Sequence, residues 1–450
     1  LGVLQRVAEE LRRRGDLFRK LGVQNLAAYR KASGQPLPRT LLLIDEFQEY
    51  FVEDDRIAQE ANVLLDRVVR QGRAFGIHVI LGSQTLGGAY TLARATMGQM
   101  VIRIALQCNE ADAQLIMDDN NPAPRFLTRP GEGIYNDMAG AVEGNSPFQT
   151  VWLPEDDRDE RLKQIRARAR EASLPAGTPF VFEGNAPAHP EDNPALGALL
   201  RAPQIATVPR IWLGEPNAIK GPTEVSFPRQ SGSHLLIVGQ AEEPILALMT
   251  AGLLALSTQV PRDTRFLWFD SSAPDSPAHA WLRNLRNTVP QELTVVRPAD
   301  LSDALTRLRE KDADASAFLF IPALQNFKKL RQEEDFGFSL DEDAAASPAK
   351  IFSELLTEGP TRGLHVIAAC DTYNNVMRFV GRKPLTEFER RVLFQMNAND
   401  SASLIDSPKA GSLGLHRALL YNGQEGTLEI FRPYALPETA WLEQIGAVAV

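Results

Sequence analysis

An α/β fold with mostly parallel sheets, arranged as two tandem domains, is what the 450 residues predict. Two observations carry the prediction. A strand-sized apolar run ends abruptly in two carboxylates, and a series of sequence blocks recurs at an offset of about 287 residues. The run is Leu41-Leu42-Leu43-Ile44, followed by Asp45-Glu46. Four apolar residues without a polar break suit a strand buried on both faces of a parallel sheet. Adjacent carboxylates at the carboxyl end of such a strand stand where open α/β sheets bind ligands. Alone, the stretch equally suits a core strand entering a solvated acidic turn.

The residues that follow narrow the choice. Ile57, Ala61, Leu64, Leu65 and Val68 fall on one face at helical spacing. Gly72-Arg73-Ala74-Phe75-Gly76 then leads into a second apolar strand, Ile77–Leu81, which ends in Gly82-Ser83-Gln84-Thr85. Val101–Ala105 continues the alternation, and Gly22–Tyr29 precedes it all. In this order the segments resemble the FtsK/SpoIIIE branch of the FtsK–HerA motor ATPases, over about residues 1–140.

The recurrence defines the rest of the chain. Gly76–Ile80 returns as Gly363–Ile367 at an offset of 287, and Arg103–Asn109 as Arg391–Asn397 at 288. Asp112 matches Asp400 at the same 288, Leu115-Ile116 matches Leu404-Ile405 at 289, and Ile134-Tyr135-Asn136 matches Leu420-Tyr421-Asn422. Blocks in order at nearly one spacing indicate a duplicated domain. The expected organisation is residues 1–153 as the C-terminal portion of an ATPase-like domain, 154–205 as a charged and Pro-rich linker, and 206–450 as a degenerate copy. Phe180-Val181-Phe182 offers some local order within the linker, and 328–350 reads as a polar insertion.

The second copy has lost the chemistry. Leu235–Val238 starts like a strand entering a phosphate loop, but Ala241-Glu242-Glu243-Pro244-Ile245-Leu246 follows. Pro244 has no N–H to offer a phosphate. A carboxylate about 5 Å from a phosphate repels it by about 3 kcal/mol at an effective dielectric near 20. Pro322-Ala323 stands in place of Asp45-Glu46, Asp371 in place of Gln84 and Pro360 in place of Arg73.

Composition sets outer bounds. The net charge of −9 supplies no global basic field for nucleic acid. Cys108 and Cys370 are isolated, and the six histidines form no metal-ligand spacing, which fits a reducing cytoplasmic setting. The most apolar stretch, Ile245–Leu256, is shorter than the roughly 18 residues of a spanning helix and reads as a core helix.

The resemblance implies two tandem RecA-like P-loop domains, with ATP and Mg²⁺ as cofactors. Asp45 would order the Mg²⁺ shell, Glu46 would polarise the attacking water, and Gln84 would sense the γ-phosphate. Arg73 stands where related ring motors place an arginine that reaches into the neighbouring subunit. Arg103 could be a second phosphate-facing cation, although its recurrence as Arg391 favours a structural ion pair. His78 recurs as His365 and Tyr135 as Tyr421, which assigns them to packing. The loop 87–94, with Tyr90 and Arg94, could face a ring pore. No GxxxxGK[ST] precedes Asp45, so the first domain is expected to lack its N-terminal part, and any membrane anchor is expected there. The implied function is an oligomeric ATP-driven translocase, a ring such as a hexamer, in the cytoplasm or tethered to the inner face of a bacterial membrane. Double-stranded DNA is its first expected substrate. The alternatives are a type VII secretion-type ATPase moving polypeptides, favoured by the tandem arrangement and acidic charge, and a non-motor scaffold that binds a peptide in the degenerate cleft.

Overall fold

The computed structural model describes all residues except 54, 88–93, 173–183, 185, 219, 311–315, 333–346 and 450. The segments 180–182 and 88–93 singled out in the sequence lie outside the described residues, as does most of 328–350. The chain divides into two units, Leu1–Val181 and Phe182–Val450.

In the first unit the helix Gly2–Lys20 lays Leu4, Val7 and Leu11 against the helix Arg56–Phe75. The latter turns Ala58, Ala61, Leu65 and Val68 inward. Ile57, expected on that face, is instead half exposed at 50%. Asp55 caps the helix by accepting from the Ala58 N–H at 2.7 Å, so Ile57 falls in the first turn, off the inward stripe. The helix shields β1 (Thr40–Ile44) and β2 (Ile77–Leu81), which pair in parallel with Thr40 opposite Ile77. Gly72 permits the close approach: a Cβ there would sit 2.7 Å from the Ile77 carbonyl oxygen. A separate antiparallel sheet joins β3 (Arg103–Leu106), β4 (Glu132–Asn136) and β5 (Asn145–Gln149).

Buried Arg14 fastens the amino ends of the parallel pair. It donates to the Phe75 carbonyl at 2.8 Å, to Thr40 Oγ1 at 2.8 Å and to Glu10 Oε1 at 2.7 Å. The Arg13 guanidinium, and then Arg14's, hold the Glu10 carboxyl down at about 2 against the opposing effect of burial.

The second unit is built on one ten-stranded sheet. Its strands are β6 (Arg210–Pro216), β7 (Thr223–Ser226), β8 (Leu235–Val238), β9 (Arg265–Phe269) and β10 (Leu293–Val296). They continue as β11 (Ala317–Ile321), β12 (Leu364–Cys370), β13 (Arg390–Leu393), β14 (Ala418–Asn422) and β15 (Thr427–Pro433). The order is β10-β9-β11-β12-β8-β13-β14-β15-β6-β7. Pairing is parallel from β10 through β13 and antiparallel beyond. Continuous apolar strands such as Phe318–Ile321 are buried on both faces, as parallel sheets require. The helix Glu242–Ser257 is buried along most of its length. Among the described residues no helix is long and apolar enough to cross a membrane.

The segment 154–205 behaves in two ways. The helix Glu155–Glu171 buries no residue. Pro194–Arg201, by contrast, packs into the second unit through Leu196, and its cap Asn193 donates to the Tyr434 hydroxyl at 2.9 Å. Eight residues between prolines carry too short an apolar pattern to reveal that packing in advance.

The duplication is visible in detail. Ala317 stands opposite Leu364 in β11 and β12, as Thr40 stands opposite Ile77. Gly76 and Gly363 both end their helices in the left-handed region, at φ 74° and 85°. The third pair of strands is offset: Arg103 faces Asn136 but Arg391 faces Tyr421, so Asn136 takes the place of Tyr421, one residue from the sequence match. Tyr135 is 36% exposed, and Tyr421 lies under the Arg391 guanidinium at 5.8 Å.

Two neutral histidines sit in the core of the second unit. His234 accepts from the Val366 N–H through Nδ1 and donates to the Leu356 carbonyl through Nε2. His365 bonds the Ser233 carbonyl through Nδ1 at 2.9 Å and stacks on Phe318. Burial pushes them down to about 3 and about 4 respectively. Since both values lie below the unfolded value near 6.5, their contribution is complete above pH 6.5 and is lost as pH falls toward 4. Each then removes up to about 1.4 kcal/mol of stability per pH unit. Urea unfolding of a His234→Gln variant across pH 6.5–4.5 should accordingly show a flatter decline than the parent.

Candidate functional site

The tips of β1 and β2 are stitched together by their backbones. Gly82 donates to the Ile44 carbonyl at 2.8 Å, and Phe47 donates to the Gly82 carbonyl at 3.2 Å. At this turn Glu46 adopts a left-handed conformation, φ 48°, uncommon for a residue with a side chain. The turn brings its carboxylate under two amides. Gln84 Nε2 donates to Glu46 Oε1 at 2.5 Å, and Gln48 Nε2 donates to Oε2 at 2.7 Å. Together, Gln48 first and Gln84 second, they lower the Glu46 pKa. Gln48 is locked in turn by the Ser83 hydroxyl, which donates to its Oε1 at 2.5 Å.

Asp45 is exposed beside this network, its Oδ1 accepting from the Glu46 N–H at 3.1 Å. Gly82 makes room for it, because a Cβ there would lie 3.0 Å from Asp45 Oδ1. Asp45, Glu46 and Gln84 thus share the carboxyl rim of the parallel pair. Arg73 does not join them. It is exposed in the last turn of the helix Arg56–Phe75, at the amino rim, where Thr40 donates to the Gly76 carbonyl. A five-residue strand separates the rims by about 17 Å.

Arg103 is also committed elsewhere. It donates to the Met100 carbonyl at 3.1 Å, to the Ile116 carbonyl at 3.1 Å and to the Met117 carbonyl. Arg391 repeats the pattern with Phe388, Leu404 and Leu385. Where the recurrence suggested an ion pair, both units hold a cage of main-chain carbonyls, and Arg103 is not among the groups brought to the carboxylates. Tyr90 falls outside the described residues, as does the side chain of Arg94.

Two participants escaped the sequence reading. Gln48 lies only two residues beyond Glu46, in what reads as a polar turn. Asp112 is buried, and its Oδ1 accepts from Thr85 Oγ1 at 3.0 Å and from the Leu86 N–H at 2.8 Å. The match of Asp112 to Asp400 was the available signal for the second.

The corresponding rim of the second unit is dismantled consistently. Ala323 has an extended φ of −148° where Glu46 is left-handed. Ala369 replaces Gly82 where Pro322 replaces Asp45. Asp371 is spent locally, accepting from Asn375 Nδ2 at 2.8 Å. Where a phosphate loop would stand there is a cavity of about 500 Å³, bordered by Gln240, Glu243, Pro244, Phe394 and Tyr434.

No protein-family model matches the chain. It is 27% identical over 179 residues to the DNA translocase FtsK of Streptococcus agalactiae, across 37% of this chain and 21% of that protein. It is 34% identical over 156 residues to the ESX-5 secretion system protein EccC5 of Mycobacterium marinum, across 33% of this chain and 10% of that protein. The matches thus span about a fifth or less of these relatives. Among solved structures, the cytoplasmic domain of the Thermomonospora curvata type VII secretion ATPase EccC superposes with a TM-score of 0.61 at 17% identity, covering 98% of this chain and 54% of its own. EssC (ATPases 2 and 3) from Geobacillus thermodenitrificans gives 0.56 at 13% identity, covering 96% and 78%. At these identities the likeness is one of fold, that of two tandem RecA-like domains.

Proposed function

From kinship with the FtsK-type motor ATPases, we propose that this chain is the working part of an ATP-driven polypeptide translocase, with a first domain that hydrolyses ATP and a second that has lost nucleotide binding. The observation that carries the reading is the Glu46–Gln84 pair at the sheet rim with Asp45 exposed beside it. Asp45 is a hard oxygen donor of the kind Mg²⁺ takes, with phosphates and water completing the shell. Bound MgATP supplies the phosphoanhydride to be cleaved. Glu46 is the base for water, Gln84 the group that exchanges Glu46 for the γ-phosphate, and Arg73 the cation offered to the next subunit of a ring.

The duplicate supports the existence of a phosphate loop for the first domain. In the second unit β8 pairs with both β12 and β13. Their counterparts β2 and β3 pair only with β1 and β4 among the described residues, leaving each one open edge. Leu41, Leu43 and Ile80 are more than half exposed and His78 is exposed, whereas Phe318, Phe320, Ile367 and His365 are buried. A strand and helix equivalent to β8 and Glu242–Ser257 would close those edges and cover that face, giving His78 the packing that His365 has.

Polypeptide is favoured as cargo by the degenerate second domain, the charge of −9 and a fold shared with EccC over 98% of the chain. Double-stranded DNA is the second reading, favoured by the FtsK relatives. ATP turnover by the longest natural chain containing these residues decides between them. The expected result is stimulation by a secreted partner peptide and indifference to long duplex DNA. Stimulation by duplex that weakens steeply with salt overturns the polypeptide reading.

A further inference from the structure

The tip of β2 that carries Gln84 is held from a second side by a residue outside the rim. Thr85 and Leu86, the next two residues after Gln84, both donate to one oxygen of Asp112, at 3.0 and 2.8 Å. The other oxygen accepts from Asn109 Nδ2 at 2.7 Å. Asn109 is fixed as well, since its Oδ1 caps the helix Glu110–Ile116 by accepting from the Asp112 N–H at 2.9 Å. Asp112 is 6% exposed, and the three donors to its carboxylate are neutral groups. A carboxylate acceptor makes such bonds shorter and roughly twice as strong as neutral pairs do.

The second unit supplies an internal control. Asn397 caps its helix as Asn109 does, and Asp400 accepts from Asn397 Nδ2 at 2.6 Å. Asp400 is nevertheless only partly buried, and Thr372, the counterpart of Thr85, turns away to cap the helix Tyr373–Phe379 by accepting from the Asn375 N–H. The cap is therefore common to both units, while the bridge to the strand tip occurs only in the unit that keeps Glu46 and Gln84. Helix stability alone does not call for the bridge.

We propose that Asp112 is a positioning residue for hydrolysis: by anchoring Thr85 and Leu86 it sets where the Gln84 amide stands relative to Glu46 and the γ-phosphate. The proposal rests on the ATPase reading of the first domain. It also fixes why the acid is needed. In Asp112→Asn one oxygen still serves the strand tip, but the new NH2 meets the Asn109 NH2, and Asn109 cannot rotate without giving up its cap.

The test uses the longest natural chain containing these residues and compares Asp112→Asn, Thr85→Val and Asp400→Asn. Thr85→Val removes one bond of the anchor without touching the helix cap, so it decides the matter even where Asp112→Asn folds poorly. The expected result is a fall in kcat of about 10- to 100-fold for both first-domain variants, as for misplacement of a catalytic group by about 1 Å. The KM for ATP should stay within about threefold, since Asp112 touches no nucleotide-binding group, and faster amide exchange should be confined to 84–87. Asp400→Asn should leave kcat unchanged. Parental kcat in Thr85→Val, or equal losses in Asp400→Asn, overturns the positioning role while leaving the ATPase reading intact. Absence of ATP turnover in the parent chain overturns both.

Discussion

Replacing Arg73 with alanine is expected to lower ATP turnover by about 10³- to 10⁵-fold, the contribution of an arginine that neutralises charge in phosphoryl transfer. This equals about 4–7 kcal/mol of barrier. ATP affinity should change little, because Arg73 cannot reach the nucleotide of its own subunit. It sits at the amino rim of a strand whose carboxyl rim carries Glu46, with about 17 Å between them. That geometry makes a specific prediction for mixtures. Arg73→Ala subunits retain Glu46, and Glu46→Gln subunits retain Arg73, so combining two inactive preparations should restore part of the turnover. Steady-state phosphate release measures it. No recovery on mixing, or full activity of Arg73→Ala alone, removes the trans role.

Glu46→Gln should abolish turnover by about 10²- to 10⁴-fold, the range for loss of a general base, while ATP still binds. The substitution is nearly isosteric, but both carboxylate oxygens now accept from amides, Gln84 on one and Gln48 on the other. A glutamine at 46 can accept only through its one carbonyl oxygen, so one of the two amides is left facing an NH2 group. Gln48→Leu separates the contributions. It should leave the base in place while releasing Oε2, so that turnover persists and the Glu46 carboxyl titrates closer to the ordinary carboxylate range. Fluorescent-nucleotide binding beside a turnover assay distinguishes lost chemistry from lost affinity.

The parallel pair, its helix and the duplication were legible because each rests on short-range rules. Apolar runs fix β1 and β2, and glycines at Gly76 and Gly363 fix the two helix ends. The rim residues Asp45, Glu46 and Gln84 were legible because a strand end is a place that topology defines. What could not be read depends on contacts across many residues. The Asp112 anchor joins positions 26 and 27 residues apart, and the Arg14 clamp joins positions up to 61 apart. The Arg103 cage is hidden for a related reason: recurrence signals that a charge is needed, but not whether a carboxylate or a ring of carbonyls receives it. Ile57 shows the limit of periodicity at a helix start, where the cap sets the phase.

The tight space around Gly82 makes the history of the two halves hard to reverse. A methyl at residue 82 would come within 3.0 Å of the Asp45 carboxylate, and in the other half an alanine already occupies the equivalent place, Ala369, across from Pro322. Reinstating an acid at 322 alone would place it beside Ala369 rather than a glycine, while reinstating a glycine at 369 alone supplies no carboxylate. Either change alone leaves the second rim without the pairing of acid and glycine that Asp45 and Gly82 form in the first.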